Sequence, residues 1–226
     1  MKKFISSIIV FSVLAIITVN LLIFFAARHN QFIGGIKLKH QLLENTKSPR
    51  IIIVGGSGTG FSVDSKMITE KTGVQTINMG LYAQFGLHYL LEEIMDDIKE
   101  NDIVVLTPEY HQFYYFFSGW RGFNELTYVY PEALLDLRSK EQLKMFLSSF
   151  PRFWVGKLKS VNLGIFKPKH ENTLYNNHGD YIAHLKDTTK HDIESRSLFH
   201  NFIDTSQMEL HNGSMNILND YSHKIK

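Results

Sequence analysis

The stretch RIIIVGGSGTGFSVDS, residues 50–65, decides the fold. Ile51 to Gly55 make an uninterrupted apolar run, the pattern of a strand covered on both faces, and glycines follow where the chain must turn sharply. Ser57 stands at the apex of that bend. Beyond it, SVDSKMITEKTG reads as a helix closed by Gly73. VQTINMG is a second short strand ending at Gly80, and DIVVLTPEY holds a third, Ile103 to Thr107, stopped by Pro108. Between them GLHYLLEEIMDDIKEN sets Leu87, Leu90, Leu91, Ile94 and Ile98 at helical spacing, with its acids expected on the other face. Strand, helix, strand, helix, strand predicts the α/β class, with a parallel sheet and right-handed crossovers. Ligands of such open sheets sit beyond the carboxyl ends of the strands, the edge that Ser57, Gly80 and Glu109 to His111 all share.

Upstream, Lys2 and Lys3 precede an apolar run from Phe4 to Ala27, closed by Arg28 and His29. At ~1.5 Å per residue this run can cross a ~30 Å hydrocarbon core. It is longer than the apolar region of a cleaved signal peptide, and Phe25 would occupy the −3 place of a cut after Ala27, so residues 1–28 read as a signal anchor. Lysines on the cytoplasmic side would leave the bulk of the chain outside the cytoplasm. Residues 29–49, a polar and partly helical stretch with Gly34-Gly35, read as a stalk that Ser48-Pro49 ends, and 50–226 as the α/β domain.

Downstream the character changes. Residues 112–212 hold the aromatic run HQFYYFFSGWRGF, two helical segments from Glu132 to Phe150, and a polar region around YNNHGDYIAHL. The stretch is too long and irregular for an ordinary connection and reads as an insertion over the sheet edge. The last segment, SMNILNDYSHKIK, puts Met215, Leu218, Tyr221 and Ile225 on one helical face. A three-stranded sheet ending on a crossover helix looks unfinished, and a further strand and catalytic loop are expected beyond Lys226.

Composition narrows the chemistry. The net charge of +2 is spread along the chain without the basic stripe that nucleic-acid binding needs. No cysteine is present, which excludes a disulfide framework, a thiolate zinc site and a thiol nucleophile. The 11 histidines include no metal-spaced set, so no metal and no cofactor are expected. GGSGTGFS lacks the lysine of a phosphate-binding P-loop. In a dinucleotide loop, Phe61 or Val63 would fall where the last glycine belongs, and the second strand ends in Asn78 rather than an acid. A serine at a tight strand-to-helix bend fits nucleophilic catalysis better, because the bend lifts it clear of its neighbours. The bland alternative is a glycine-serine helix cap.

IIIVGGSGTGFSVDS, followed by INMGLYAQFG, resembles the SGNH/GDSL hydrolase superfamily, in the membrane-anchored branch of bacterial cell envelopes. The likeness covers roughly Arg50 to Tyr110, and YNNHGDYIAHL also resembles a stretch that recurs in this branch. It implies a three-layer α/β/α fold, Ser57 as nucleophile, and an oxyanion site drawing on Gly58, Asn78 and Gly80. GGSG replaces the familiar GDS, and TPEYHQF stands where the third block has its asparagine. The Asn101-Asp102 pair precedes strand three, at its wrong end. The family's last block, Asp-x-x-His, is matched in letters by Asp220 and His223, but these lie in a helical segment rather than a loop. His111, two residues from Glu109, is an alternative base, and Asp180 with His184 form another spaced pair. The resemblance implies a serine esterase or O-acyltransferase acting on acyl groups of an envelope glycan or related polymer. Its partners would be an acylated carbohydrate or lipid-like substrate, the membrane, and envelope-assembly proteins. The alternative is a non-catalytic binding or assembly subunit that keeps the fold.

Overall fold

The computed structural model describes residues 2–25, 32–113, 120–137, 143–144, 146–148, 150–151, 154–155, 174–186 and 212–224. The protein is mixed α/β around a three-stranded parallel sheet. Strands β1 (Arg50–Gly55), β2 (Gln75–Asn78) and β3 (Ile103–Thr107) lie in the order β2-β1-β3. Arg50 pairs with Gln75 on one side of β1, and Ile51 with Ile103 on the other. All six residues of β1 are buried, as its continuous apolar run requires of a central strand. Ile103 and Val105 of β3 remain exposed on one face of that edge strand.

An apolar helix, α1 (Lys2–Phe25), opens the chain. Its stretch Lys3–Leu22 is long and apolar enough to cross a membrane, with a mean hydropathy of 2.5. Asn20, the one asparagine within it, donates from Nδ2 to the Ile16 carbonyl at 2.6 Å, so its amide is satisfied inside the helix.

The stalk expected over residues 29–49 must be corrected for its described part. Residues 35–45 form α2 (Gly35–Asn45), and Ile33, Ile36 and Leu43 belong to the main hydrophobic core. Ile36 and Leu43, two turns apart on one face, turn inward, so the helix packs on the domain rather than standing free as a spacer. α2 runs antiparallel to the strands. Lys39 reaches the last residue of β2, whereas Leu43 and Thr46 meet Arg50 at the start of β1.

Two short helices join β1 to β2 where one was expected. α3 (Ser57–Ser62) breaks at Val63, and α4 (Ser65–Thr72) restarts under an Asp64 cap, whose side chain accepts from the Met67 amide at 2.9 Å. Gly73 closes α4 in the left-handed conformation, φ +73°. Between β2 and β3 lie a 3-10 turn, Ala83–Phe85, and α5 (Leu87–Met95). Leu87, Leu90, Leu91 and Ile94 are buried as expected, but so are Glu92 and Glu93. These two acids therefore turn inward, while Asp96 and Glu100 face solvent as expected. Glu92 accepts the Tyr221 hydroxyl, and His40 lies 3.7 Å from Glu93.

After β3 come a 3-10 turn at Tyr110–Phe113, α6 (Trp120–Val129), a 3-10 turn at Pro131–Asp136, α7 (Ala183–Lys186) and α8 (Asn212–Lys224). Phe123, Leu126, Tyr128 and Val129 of α6 join the main core. Most of the aromatic run at 113–120 lies outside the described residues. On α8 the buried positions are Ser214 and Tyr221, with Ile217 and Leu218 against the same cluster; Met215 is exposed rather than inward, and Ile225 lies outside the described residues.

At the amino edge of the sheet, buried Arg50 donates Nε to Asp102 Oδ2 at 3.0 Å and spends its other nitrogens on the carbonyls of Leu43, Thr46 and Asp97. Burial alone would raise the Asp102 carboxyl. Hydrogen bonds from the Lys99 amide and Arg50, with the guanidinium charge, hold it below the usual range instead.

Candidate functional site

β1 delivers the chain to the carboxyl edge, where Gly56 is extended (φ −85°, ψ −158°) and Ser57 begins α3. A Cβ at Gly56 would run into the Glu109 carboxylate and the Ala83 side chain, so glycine there lets the bend close against β3. Ser57 is half-buried, and its Oγ donates to Glu109 Oε1 at 3.2 Å. The Gly58 amide donates to the same oxygen at 3.0 Å. One carboxylate oxygen thus holds both the hydroxyl and the first backbone donor after it.

Glu109 is itself placed by TPEYHQF. Its amide donates to Gln112 Oε1 at 2.8 Å, and Gln112, fully buried, donates Nε2 to the Ala83 carbonyl at 3.2 Å. Ser214 Oγ on α8 donates to the Gln112 carbonyl at 2.8 Å. Thr59 and Thr107 hydroxyls meet at 2.6 Å and tie α3 to β3. Tyr82 lies within the electrostatic reach of this carboxylate. Burial raises its phenol above the ordinary value, and the charges of Glu125 and Glu109 add to the rise.

The INMG segment forms the second wall. Met79 and Leu81 amides bond back to the carbonyls of Ile53 and Gly55, at 2.8 and 3.2 Å, so pairing with β1 continues past the end of β2. The Gly80 amide donates to Asn78 Oδ1 at 2.8 Å, and Asn78 Nδ2 donates to the Thr59 carbonyl at 3.1 Å and to Asp180 Oδ1 at 2.8 Å. A Cβ on Gly80 would lie 2.5 Å from Thr59 Cβ and 2.7 Å from the Gly60 nitrogen, so the strand end and α3 touch backbone to backbone. Asn78 is fully buried. It acts inside the wall, and the amides of Gly58 and Gly80 are each engaged by a side-chain oxygen of the chain itself.

Sequence reasoning missed a buried polar hub behind this wall. The YNNHGDY segment returns to the sheet. Asp180 there accepts from Ser65 Oγ at 2.7 Å, the Ser65 amide at 3.1 Å, Asn78 Nδ2 at 2.8 Å and Asn176 Nδ2 at 2.8 Å. The Tyr181 amide donates to the Gly60 carbonyl at 3.0 Å. Lys39, fully buried on α2, donates Nζ to the carbonyls of Asn78 and Gly179 at 2.7 and 2.5 Å. Burial lowers its pKa to about 7, while the carboxylates of Asp180 and then Glu93 pull it back upward. The hub pins β2, α3 and α4 together directly behind Ser57.

The proposed bases fall elsewhere. α8 meets the Tyr110–Phe113 turn through Ser214 and then runs down α5, where Tyr221 reaches Glu92. Asp220 and His223 are exposed about two and three turns along that helix, and neither bonds to Ser57. Asp180 and His184 are not paired. Asp180 is the hub just described, whereas the His184 ring stacks on Tyr181 at 5.9 Å. His111 has its backbone in the turn after Glu109, and its side chain lies outside the described residues. Among the described residues no three His, Asp or Glu side chains gather as a metal would require.

The chain matches no protein-family model, no curated protein and no solved structure. The likeness to SGNH hydrolases therefore rests on the motif residues themselves.

Proposed function

We propose that this chain is a serine esterase or O-acyltransferase of SGNH type, with helices on both faces of the sheet in three layers. In this reading α1 anchors it with the α/β domain outside the cytoplasm, and its substrate is an acyl group of an envelope glycan or related polymer. The observation that carries the proposal is Ser57 at the strand-to-helix bend of the sheet's carboxyl edge, with its Oγ 3.2 Å from a carboxylate acceptor. Glu109 takes the Ser57 proton as Oγ bonds to the acyl carbonyl carbon. Once protonated, it is a weaker acceptor, which releases the Gly58 amide to the oxyanion that has just formed. Collapse of the tetrahedral species expels the alcohol, which carries away the proton from Glu109, and the acyl group stays on Ser57 as an ester. Water or a sugar hydroxyl then attacks that ester, giving its proton to Glu109; collapse breaks the acyl–Oγ bond, Glu109 returns the proton to Ser57 Oγ, and the free acid or the acylated sugar leaves. A histidine is the stronger base for this task, and His111, in the turn that follows Glu109, is the residue of choice to assist.

The test is acylation of the full chain in detergent micelles by a fluorophosphonate, with the adduct located by peptide mass spectrometry. Ser57 should carry the adduct, Ser57→Ala should carry none, and Glu109→Gln should slow labelling by ~10²–10⁴-fold. A folded chain that takes no label at Ser57 refutes the proposal. A second reading, a binding or assembly subunit without catalysis, is favoured by the engagement of the Gly58 and Gly80 amides and by the exposed positions of Asp220 and His223. It expects Ser57→Ala to complement a deletion fully.

A further inference from the structure

The path from the membrane helix into the domain ends beside the candidate serine. Phe25 closes α1 and the next described residue is Phe32, so the two are separated by at most about 25 Å of extended chain. Phe32 does not land at an arbitrary point on the domain. It precedes α2, which starts at the carboxyl edge and runs toward the amino edge. Its ring stacks on Phe61 at 5.3 Å, with planes 4° apart, and meets Tyr181 edge-on at 5.3 Å. Phe61 lies on α3, four residues and ~6 Å of helix rise beyond Ser57. Tyr181 stacks in turn on His184, and the next residue, Leu185, is 66% exposed.

Phe32, Phe61, Tyr181 and His184 are each half-buried and pack ring against ring as an aromatic surface at the tethered pole, and exposed Leu185 follows His184 in sequence. Rings with one apolar side and one wet side settle at the boundary between headgroups and acyl chains. The tether holds this surface within reach of that boundary. We infer that the Phe32–Phe61–Tyr181–Leu185 surface rests on the bilayer, so that the carboxyl edge opens toward the membrane and Ser57 takes its acyl group from a substrate that resides in the bilayer. The substrate assignment rests on the serine chemistry proposed above; the membrane placement does not.

The chain has no native cysteine, so single cysteines can be labelled cleanly. Leu185→Cys and, at the opposite edge of the sheet, exposed Glu100→Cys are labelled with an environment-sensitive fluorophore, and the full chain is reconstituted into phosphatidylglycerol–phosphatidylethanolamine vesicles. Interfacial residues sit ~5–10 Å into the boundary, so nitroxide-labelled lipids should quench the Leu185 probe at least about twofold and leave the Glu100 probe unchanged. A Leu185 probe that is shielded from water yet insensitive to nitroxide lipids means that protein covers the patch, and overturns the placement, as does a probe fully exposed to water. In the same vesicles, Leu185→Asp should cut Ser57 labelling by a hexadecyl fluorophosphonate about tenfold and leave labelling by a short water-soluble fluorophosphonate unchanged. Equal loss with both reagents signals a damaged site and overturns the substrate assignment. Quenching at Leu185 with no label on Ser57 from either reagent refutes the serine chemistry and its substrate while the placement stands; labelling without quenching refutes the placement alone.

Discussion

Lys39→Met isolates a single buried charge, and its effect has a sign that can be worked out in advance. The Lys39 ammonium is fully buried, donates to two backbone carbonyls, and has a pKa lowered from 10.5 to about 7 by burial, against the upward pull of Asp180 and Glu93. Between pH 7 and 10.5 the unfolded chain therefore holds a proton here that the folded chain has given up. Stability of the wild type should rise with pH across that window by up to ~1.4 kcal/mol per unit, or about 3 kcal/mol from pH 7 to 9.5. Among the described residues the other shifted groups act outside it. Burial lowers His40, whose contribution changes below its ordinary pKa of 6.5, and burial raises Tyr175 and Tyr82, whose contributions fall away only above 10. Methionine fills a similar volume without titrating. It also leaves the Asn78 and Gly179 carbonyls without a donor, which lowers absolute stability at every pH, so the informative quantity is the slope. Urea unfolding of both chains in detergent, followed by tryptophan fluorescence at pH 7, 8 and 9.5, reads it directly. Equal slopes in wild type and variant would show that Lys39 keeps an ordinary pKa and that the hub is not the low-dielectric site described.

Two further substitutions probe the framework of the site. Gly80→Ala forces a Cβ against Thr59 Cβ and the Gly60 nitrogen, at 2.5 and 2.7 Å, and should cost about 1–3 kcal/mol in urea unfolding while slowing fluorophosphonate labelling of Ser57, because α3 must move to make room. Unchanged stability and labelling would show that the two backbones are not in contact. Arg50→Met leaves the Asp102 carboxylate buried without its cation and should destabilise by about 3–5 kcal/mol at pH 7, with the loss shrinking in acid as the carboxylate gains a proton. A loss that does not change with pH would place the effect in packing alone.

How far the sequence discloses this protein depends on how local each signal is. The alternation of strands and helices from Arg50 to Thr107 was legible because each element carries its own period and its own stop: the glycines after β1, Gly73 in the left-handed region, Pro108 after β3. The same local signals put Ser57 and Glu109 on one edge. They did not disclose that the two side chains touch, because that contact depends on Gln112 being seated against the Ala83 carbonyl, far away along the chain. The stalk was misread for a similar reason. Gly34-Gly35 and the polar character of the stretch suggest a stalk, yet Ile36, Lys39 and Leu43 form one stripe at helical spacing, and the lysine in that stripe is buried because two carbonyls from β2 and the 174–182 segment await it. A cation at an inward position is a pattern that periodicity alone assigns to solvent.

The hub also supplies a physical reason for the polar letters of YNNHGDY that no local rule provides. A loop of this composition normally stays at the surface, since its backbone and side chains need water. Here Asp180 finds four donors, Asn176 closes the turn onto Asp180, and the His178 carbonyl accepts the Asn78 amide, so the segment exchanges water for partners and docks against β2 as an irregular continuation of the sheet edge. Burying so many polar groups is tolerable only when nearly all are matched, which makes the arrangement stiff. That stiffness bears on Ser57. Its helix is one and a half turns long and has little cooperativity of its own, so the bond from Asn78 to the Thr59 carbonyl and the bond from Tyr181 to the Gly60 carbonyl are what fix α3 relative to β1. In the proposed reaction the Ser57 hydroxyl must meet a carboxylate and a carbonyl carbon in register, which needs such support, and here it comes in part from a segment more than a hundred residues away in sequence.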